Sequence, residues 1–145
     1  MNILFDTSTL VAALVTSHPV HSDALRRLQR VKSGDDAGFI SAHSLAELYS
    51  TLTAIPSQPR IPPPVAWQLI QSNVLATFRI VSLTEADYLM LLEQLSTAGI
   101  VGGVTYDALI LHAATKVAVD QIVTLNERHF QRIRPDLSDL ITAPQ

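Results

Sequence analysis

Short apolar stretches alternate along the chain with longer stretches whose apolar residues recur every three or four positions. Four of the short stretches are predicted strands, because they are apolar and bounded by polar or turn-forming residues: 2–5, 37–40, 78–82 and 121–125. Helical segments between them favour right-handed crossovers, which make the strands parallel. The pattern therefore predicts an α/β fold whose parallel sheet is covered by helices on both faces.

The spacing of apolar residues also predicts the helices that cover this sheet. Their ranges are 8–15, 20–32, 42–54, 64–75, 84–97 and 105–119, and a short helix or turn follows the last strand. Thr7 or Ser8 is expected to cap the first helix and Thr84 the fifth. Residues 56–64 contain five of the eight prolines and are a predicted loop. The third helix is expected to bury Leu45, Leu48, Tyr49 and Leu52.

Composition narrows the class of protein. The length of 145 residues predicts a single domain over residues 1–145, with 48% apolar residues to form a core. No cysteine is present, which excludes disulfides, thiolate zinc sites and cysteine nucleophiles. No apolar run is long enough to span a bilayer, and the first residues do not form a secretory signal. We therefore expect a cytoplasmic protein with no membrane partner.

The net charge of −3 predicts no global positive field, so any contact with nucleic acid would depend on local basic patches. Basic residues form two clusters. The early cluster is Arg26, Arg27, Arg30 and Lys32, and the late cluster is Arg128, Arg132 and Arg134. Each is equally well explained as a solvated helix face.

Four polar residues are predicted at one edge of the sheet. Asp6 and Asn126 directly follow predicted strands, and Glu47 and Asp107 lie near the beginning of predicted helices. In open parallel sheets, ligands bind outside the carboxyl ends of the strands, which is where these residues would meet. Carboxylate oxygens are the ligands that Mg²⁺ and Mn²⁺ prefer. The three acids therefore predict a divalent metal site.

Structural roles could explain each acid separately. Asp6 is a favoured N-cap residue. Ser44 and Glu47 match a capping box, although Ser41 could cap that helix instead and leave Glu47 free. Asp107 would be favoured by the helix dipole in a first turn. None of these roles predicts that all three acids meet at the ligand-binding edge.

Asn126 and the histidines give weaker signals. Asn126 could also be an N-cap, and Thr124 with Glu127 matches a second capping box. His43 lies four residues before Glu47 and would share its helix face. His18 and His21 are expected at the surface, and His112 is expected to be a hydrogen-bonded core residue.

Four segments resemble the PIN-domain family, and in particular the VapC-type toxins of bacterial toxin–antitoxin pairs. They occur in the family's order and cover nearly the whole chain. They are ILFDTS at 3–8, ISAHSLAEL at 40–48, TYDALILHA at 105–113 and IVTLNERHF at 122–130. In the family the residue at the position of Asn126 is often Asp and often Asn, and where Asn126 replaces an acid one negative charge is lost.

The resemblance implies a three-layer α/β/α fold with a central parallel sheet of about five short strands. It also implies a Mg²⁺- or Mn²⁺-dependent ribonuclease that cuts RNA, forms a homodimer and is neutralised by a small antitoxin protein. In this reading Asp6, Glu47 and Asp107 hold the metal and Asn126 supports the site. Three hydroxyl residues would orient an acid or contact phosphate, and they are Thr7, Ser8 and Thr124. Both basic clusters would follow the RNA backbone.

Two other functional classes remain open from the sequence. The chain could be a PIN-like binding module with a degenerate site, which recognises RNA or protein without cleavage. It could also be a metal-dependent phosphatase for small substrates, although it lacks a glycine-rich phosphate loop.

Overall fold

A computed structural model describes all 145 residues and contains one sheet of five strands. The strands are Asn2–Phe5 (β1), Ala37–Ser41 (β2), Arg79–Val81 (β3), Gln121–Val123 (β4) and Ile141–Thr142 (β5). They lie in the order β3-β2-β1-β4-β5, and every neighbouring pair is parallel. The predicted α/β fold with a parallel sheet is therefore confirmed.

Seven α-helices surround the sheet. They are Thr7–Leu14 (α1), His21–Ser33 (α2), Ala42–Ala54 (α3), Pro63–Ile70 (α4), Glu85–Ala98 (α5), Val104–Lys116 (α6) and Glu127–Ile133 (α7). A π-helical turn at Gln71–Leu75 follows α4, and a 3₁₀ turn at Pro135–Leu140 precedes β5. No helix is both long and apolar enough to cross a membrane.

The three central strands, β2, β1 and β4, contribute side chains to a separate core on each face of the sheet. In β1, Ile3 and Phe5 pack with residues of α1, α2, α3 and α4, whereas Leu4 packs with residues of α6 and α7. This alternation follows from the two-residue period of a strand. Leu91 and Leu95 of α5 pack against α6. The result is the three-layer α/β/α arrangement that the resemblance implied.

The connections of the central strand create a crevice at one edge of the sheet. From β1 the chain moves through α1 and α2 to β2 on one side, and it later returns to β4 on the other side of β1. Such a reversal of strand order is the usual ligand-binding position in open α/β sheets. Asp6 and Asn126 both follow strands at this edge.

Three local predictions were wrong. Asp6, rather than Thr7 or Ser8, caps α1, because its carboxylate accepts the Thr7 backbone N–H. Tyr49 is exposed, because the buried face of α3 is formed by Ser44, Leu48 and Leu52 and Tyr49 lies outside it. The last strand, β5, was missed along the chain because two residues carry no readable alternation. Thr84 does cap α5, and with Asp87 it forms a full capping box.

The amino ends of the strands form a charge-balanced edge opposite the crevice. The buried Asp36 carboxylate accepts from Arg30 Nε at 2.7 Å and from the Met1 amino group at 3.1 Å. The hydrogen bond from Arg30 lowers the Asp36 pKa, although burial opposes it. Arg27 donates to Gln121 at the beginning of β4. Arg27 and Arg30 of the early cluster are therefore engaged at the edge away from the crevice.

Gly38 allows α2 and the segment before β3 to approach β2 closely. A Cβ atom at this position would lie 2.6 Å from Val31 Cγ1 and 2.8 Å from the Phe78 ring. Both neighbours are buried, so neither can move freely to make room.

We predict that Gly38→Ala lowers the free energy of unfolding by about 1–3 kcal/mol, because it overpacks this core. Urea unfolding followed by circular dichroism measures the change. Gly103→Ala is the matched control, because Gly103 has helical backbone angles and open space around its Cβ position. The control should be as stable as the parent or slightly more so. Equal stability of Gly38→Ala and Gly103→Ala would contradict the packing account.

Candidate active site

An open cleft of about 340 Å³ lies over the carboxyl ends of β1 and β4, and we call it the acidic cleft. Ten residues line it: Asp6, Thr7, Ser8, Val11, His18, Glu47, Thr51, Asp107, Leu125 and Asn126. All four polar residues that the sequence singled out as site residues are among them. They come from four different segments of the chain, so the fold alone brings them together.

Asp6 is the anchored acid of the acidic cleft. It is only 3% exposed, and its carboxylate accepts three hydrogen bonds. The Thr7 backbone N–H donates to Oδ1 at 2.8 Å, while the hydroxyls of Ser8 and Thr124 donate to Oδ2 at 2.7 and 2.8 Å. These donors fix the orientation of the carboxylate and stabilise its charge.

The two hydroxyls also connect Asp6 to the backbone after β4. Ser8 Oγ accepts the Leu125 N–H at 3.0 Å, and Thr124 Oγ1 accepts the Asn126 N–H at 3.0 Å. Thr124 is completely buried and does not line the cleft. It therefore acts on the site through Asp6 and the position of Asn126.

Glu47 faces the cleft from the second turn of α3. Ser41 occupies the N-cap position of α3, so the capping box with Ser44 does not form. Thr7 Oγ1 donates to Glu47 Oε1 at 3.1 Å. His43 Nε2 lies 3.3 Å from the same oxygen, as the shared helix face predicted, but without hydrogen-bond geometry. Glu47 thus keeps its second oxygen free of protein donors.

Asp107 is the one acid of the cleft that has neither a hydrogen-bond donor nor an ion-pair partner. It lies in the first turn of α6, is partly buried and accepts no hydrogen bond. Burial is the main cause that raises its pKa to about 6, the negative charges of Asp6 and Glu47 contribute to the rise, and His129 partly offsets them. Asp6 and Glu47 accept hydrogen bonds from hydroxyl groups, whereas Asp107 accepts none.

Asn126 stands at the N-cap position of α7 but its side chain makes no capping hydrogen bond. The capping box between Thr124 and Glu127 does not form, because α7 begins after Asn126 and the Thr124 hydroxyl accepts the Asn126 N–H instead. The exposed Asn126 amide is therefore available to the acidic cleft.

The sequence did not single out every residue of the site. His18 lines the cleft, although it was expected to be an ordinary surface residue. Its loop position gives no periodic signal that could have placed it. His129 was also missed, although its position three residues after Asn126 puts both on one side of α7. His112 behaves as expected and lies 3.4 Å from Asp87 Oδ1 in a partly buried pair.

The late basic cluster is divided in the structure. Arg134 pairs with Asp136 and also donates to Thr115. Arg128 and Arg132 are exposed on α7 and have no ion-pair partner. Arg128 shares a groove with Asn126, so its cation is close to the cleft. With Arg27 and Arg30 at the opposite edge, the prediction that both basic clusters follow one bound backbone was wrong for these two residues.

The side chains of the cleft are of the kind that binds a hard divalent cation. They do not form a complete ligand shell, however. Three carboxylates meet there, and Asp107 has no other source of positive charge than the exposed His129. No group of three or more acidic or histidine side chains is arranged to hold an ion directly, however. Mg²⁺ commonly keeps several of its waters, so water-mediated contacts or small side-chain rotations would suffice.

A larger groove of about 440 Å³ lies between α5, α6 and α7. Seven of its eleven lining residues are apolar, and it contains no convergent set of acids. It therefore lacks the groups for hydrolysis, and the acidic cleft is the candidate active site.

The raised pKa of Asp107 has a consequence for stability. A carboxyl group whose pKa is higher in the folded than in the unfolded chain favours folding while it is protonated. That contribution is lost as the pH rises from about 4 through about 6.

We predict that metal-free Asp107→Asn melts at a higher temperature than the parent at pH 7.5, and that the difference vanishes near pH 4. The amide cannot ionise, so it escapes the repulsion at neutral pH. Differential scanning fluorimetry in EDTA measures the melting temperatures of the parent and the variant at both pH values. Asp139→Asn is the control, because Asp139 is exposed and has no ion-pair partner. A variant that is destabilised at pH 7.5 would show that the Asp107 charge is compensated.

Comparisons with known proteins identify the family and agree with the fold. The family model described as the PIN domain matches residues 3–134. The chain is 33% identical over 140 residues to Ribonuclease VapC40 of Mycobacterium tuberculosis, covering 94% of this chain and 97% of that protein. It is 31% identical over 111 residues to Ribonuclease VapC27 of the same species, covering 77% and 75%.

The fold also matches a solved structure over its full length. The crystal structure of VapBC2 from Rickettsia felis, bound to a DNA fragment from their promoter, contains a chain with a TM-score of 0.67. That match covers all of both chains at 20% identity, so it bears on the fold alone. The match of the family model across most of the chain and the two ribonuclease relatives show that this chain belongs to the PIN-domain family, among its VapC-type members.

Proposed function

We propose that the chain is a Mg²⁺- or Mn²⁺-dependent endoribonuclease and the toxin of a toxin–antitoxin pair. The observation that carries the proposal is Asp107, a partly buried acid without a hydrogen-bond donor that faces Asp6 and Glu47 in one cleft. The names of VapC40 and VapC27 supply the reaction class. In this proposal the 145 residues form one domain that acts in the cytoplasm.

Asp6, Glu47 and Asp107 would hold the cation. A bound divalent cation lowers the pKa of water and stabilises the negative charge that develops on a phosphate during hydrolysis. The hydroxyls of Ser8 and Thr124 keep Asp6 in one orientation, and Thr7 does the same for Glu47. Such preorganisation avoids reorientation of the acids during the reaction.

Residues around the acids would position the RNA strand. Arg128 has a free guanidinium beside Asn126, and Arg132 has one further along α7. Contacts of arginine with phosphate fix the register of a strand without reading its sequence. The Asn126 amide can donate to a phosphate oxygen or accept from a water, and it adds no negative charge that would repel the backbone.

The proposed partners are a small antitoxin and a second copy of the chain. The acidic cleft would accept a basic side chain of the antitoxin, because three carboxylates meet there with little compensation. Four exposed apolar residues on α5 offer a surface for a homodimer: Tyr88, Leu89, Met90 and Leu92. Light scattering that returns the mass of a single 15.8 kDa chain would contradict the homodimer.

We predict that the purified chain, free of antitoxin, cleaves single-stranded RNA with Mg²⁺ or Mn²⁺ and loses this activity in EDTA. Asp107→Asn should lower the rate at least ~100-fold, because it removes a charge that would bind the cation. Gel analysis of end-labelled RNA measures the rate. Asp107→Asn is preferred over changes at Asp6, because Asp107 makes no hydrogen bond whose loss could unfold the chain.

Asp139→Asn, which removes an exposed acid outside the cleft, should cleave like the parent. Cleavage that survives both EDTA and Asp107→Asn would refute the metal–carboxylate mechanism.

A second candidate, a binding module with a degenerate site, is favoured by the lack of a ready-made ligand shell. Metal-independent RNA binding without cleavage of any RNA would support that candidate.

A further inference from the structure

Two aromatic rings from different helices stack beside the acidic cleft. The rings of His43 on α3 and Tyr106 on α6 have centroids 5.0 Å apart and planes inclined by only 5°. His43 is largely buried in this arrangement, whereas Tyr106 is 52% exposed. His43 thus covers one face of the tyrosine ring, and much of the remaining ring surface meets solvent.

The stacked pair is continuous with the wall of the cleft. His43 Nε2 is 3.3 Å from Glu47 Oε1, and Glu47 lines the cleft. Tyr106 directly precedes Asp107, a second lining acid. The exposed ring therefore lies at the rim of the cleft, between the segments that supply two of its three carboxylates.

No other exposed aromatic residue has this position. The remaining large exposed aromatics are Tyr49, Trp67 and Tyr88. Tyr49 lies two residues after Glu47 on α3, which is about 200° around the helix and so on its other side. Trp67 and Tyr88 lie on α4 and α5, neither of which contributes a lining residue.

We propose that Tyr106, backed by His43, is a stacking platform for a nucleobase of the RNA strand whose phosphate enters the acidic cleft. The acids and their cation serve the phosphate, but they offer nothing to a base. An exposed aromatic face fills that need, because every nucleobase has a π face that can stack on it. This inference rests on the proposed function and adds a base-binding position to it.

The backing by His43 makes the platform suitable for binding. A ring already held by a parallel neighbour loses little conformational freedom when a base is added. Stacking does not distinguish sequences strongly, so Tyr106 would set affinity and register along the strand. The cleft and the platform together would require RNA that is single-stranded at this position, since a base inside a duplex is stacked on its neighbours and offers no free face.

The test uses a short single-stranded RNA that carries one 2-aminopurine, titrated with the parent chain in Ca²⁺. Ca²⁺ also takes oxygen ligands but acidifies its bound water less than Mg²⁺, so the strand stays intact. The fluorescence of 2-aminopurine falls when it stacks on an aromatic ring. We expect quenching with the parent chain, and we expect Tyr106→Ala to abolish it and weaken binding roughly 5- to 150-fold. Tyr106→Phe should retain both, because it keeps the ring.

Two further variants separate stacking from folding. Tyr106→Leu keeps an apolar side chain against His43 but has no π system, so it should fold normally and lose the quenching. Tyr49→Ala removes an exposed tyrosine from the other side of α3 and should behave like its parent. Thermal melting of each variant confirms that it is folded.

Unchanged affinity and quenching in Tyr106→Ala and Tyr106→Leu would overturn the platform, as would absence of any quenching in the parent titration. These outcomes differ from failure of the proposed function. Failure of the nuclease proposal is detected by the cleavage assay with the unmodified chain, which does not depend on 2-aminopurine fluorescence. Steady-state cleavage by Tyr106→Ala should further show a raised KM with a smaller effect on kcat.

Discussion

Repulsion among three carboxylates that share one cleft is the constraint around which this site is organised. Asp6 and Glu47 accept hydrogen bonds from hydroxyl groups, whereas Asp107 accepts none. Asp107 is therefore the acid whose negative charge is least compensated by the protein. Bringing these acids together requires the reversal of strand order beside β1. Asp6 and Thr124 are buried beneath the cleft, so the position of the Asp6 charge is fixed.

A buried acid at the other edge of the sheet, Asp36, has the opposite electrostatic environment. Asp36 is paired with Arg30 and the Met1 amino group, and its pKa falls below the ordinary value. Asp107 has no such partner, and its pKa rises to about 6. Structural acids in this fold are neutralised by the protein itself. An acid left without a partner at the ligand-binding edge therefore supports the proposed cation site.

Much of this organisation was readable from the sequence because it depends on strong periodic signals. The four longer strands, the helices between them and the edge where Asp6 and Asn126 emerge follow from apolar patterning and the right-handed crossover. The roles of Ser8 and Thr124 could not be assigned in this way, because both hydroxyls donate to Asp6 and Thr124 is distant from it in sequence. The stacking of His43 on Tyr106 was unreadable for the same reason, since it depends on how α3 and α6 meet.

Sequence also could not show which basic residues are free. Arg27 and Arg30 look like Arg128 and Arg132 in composition, but only the fold reveals that Gln121 and Asp36 engage the first two. The consequence is a division of the molecule into a charge-balanced edge and an edge with uncompensated acids. Function is proposed at the second edge because the uncompensated acids line the cleft there and Arg128, which has no ion-pair partner, shares the adjoining groove with Asn126.

The most direct test of this account is a crystal structure of the chain with Mn²⁺, measured at a wavelength where manganese scatters anomalously. The account predicts an anomalous peak in the acidic cleft, within direct or water-mediated reach of Asp6, Glu47 and Asp107, and its loss in Asp107→Asn crystals. An empty cleft at a saturating Mn²⁺ concentration, or a peak that persists unchanged without the Asp107 charge, would contradict it.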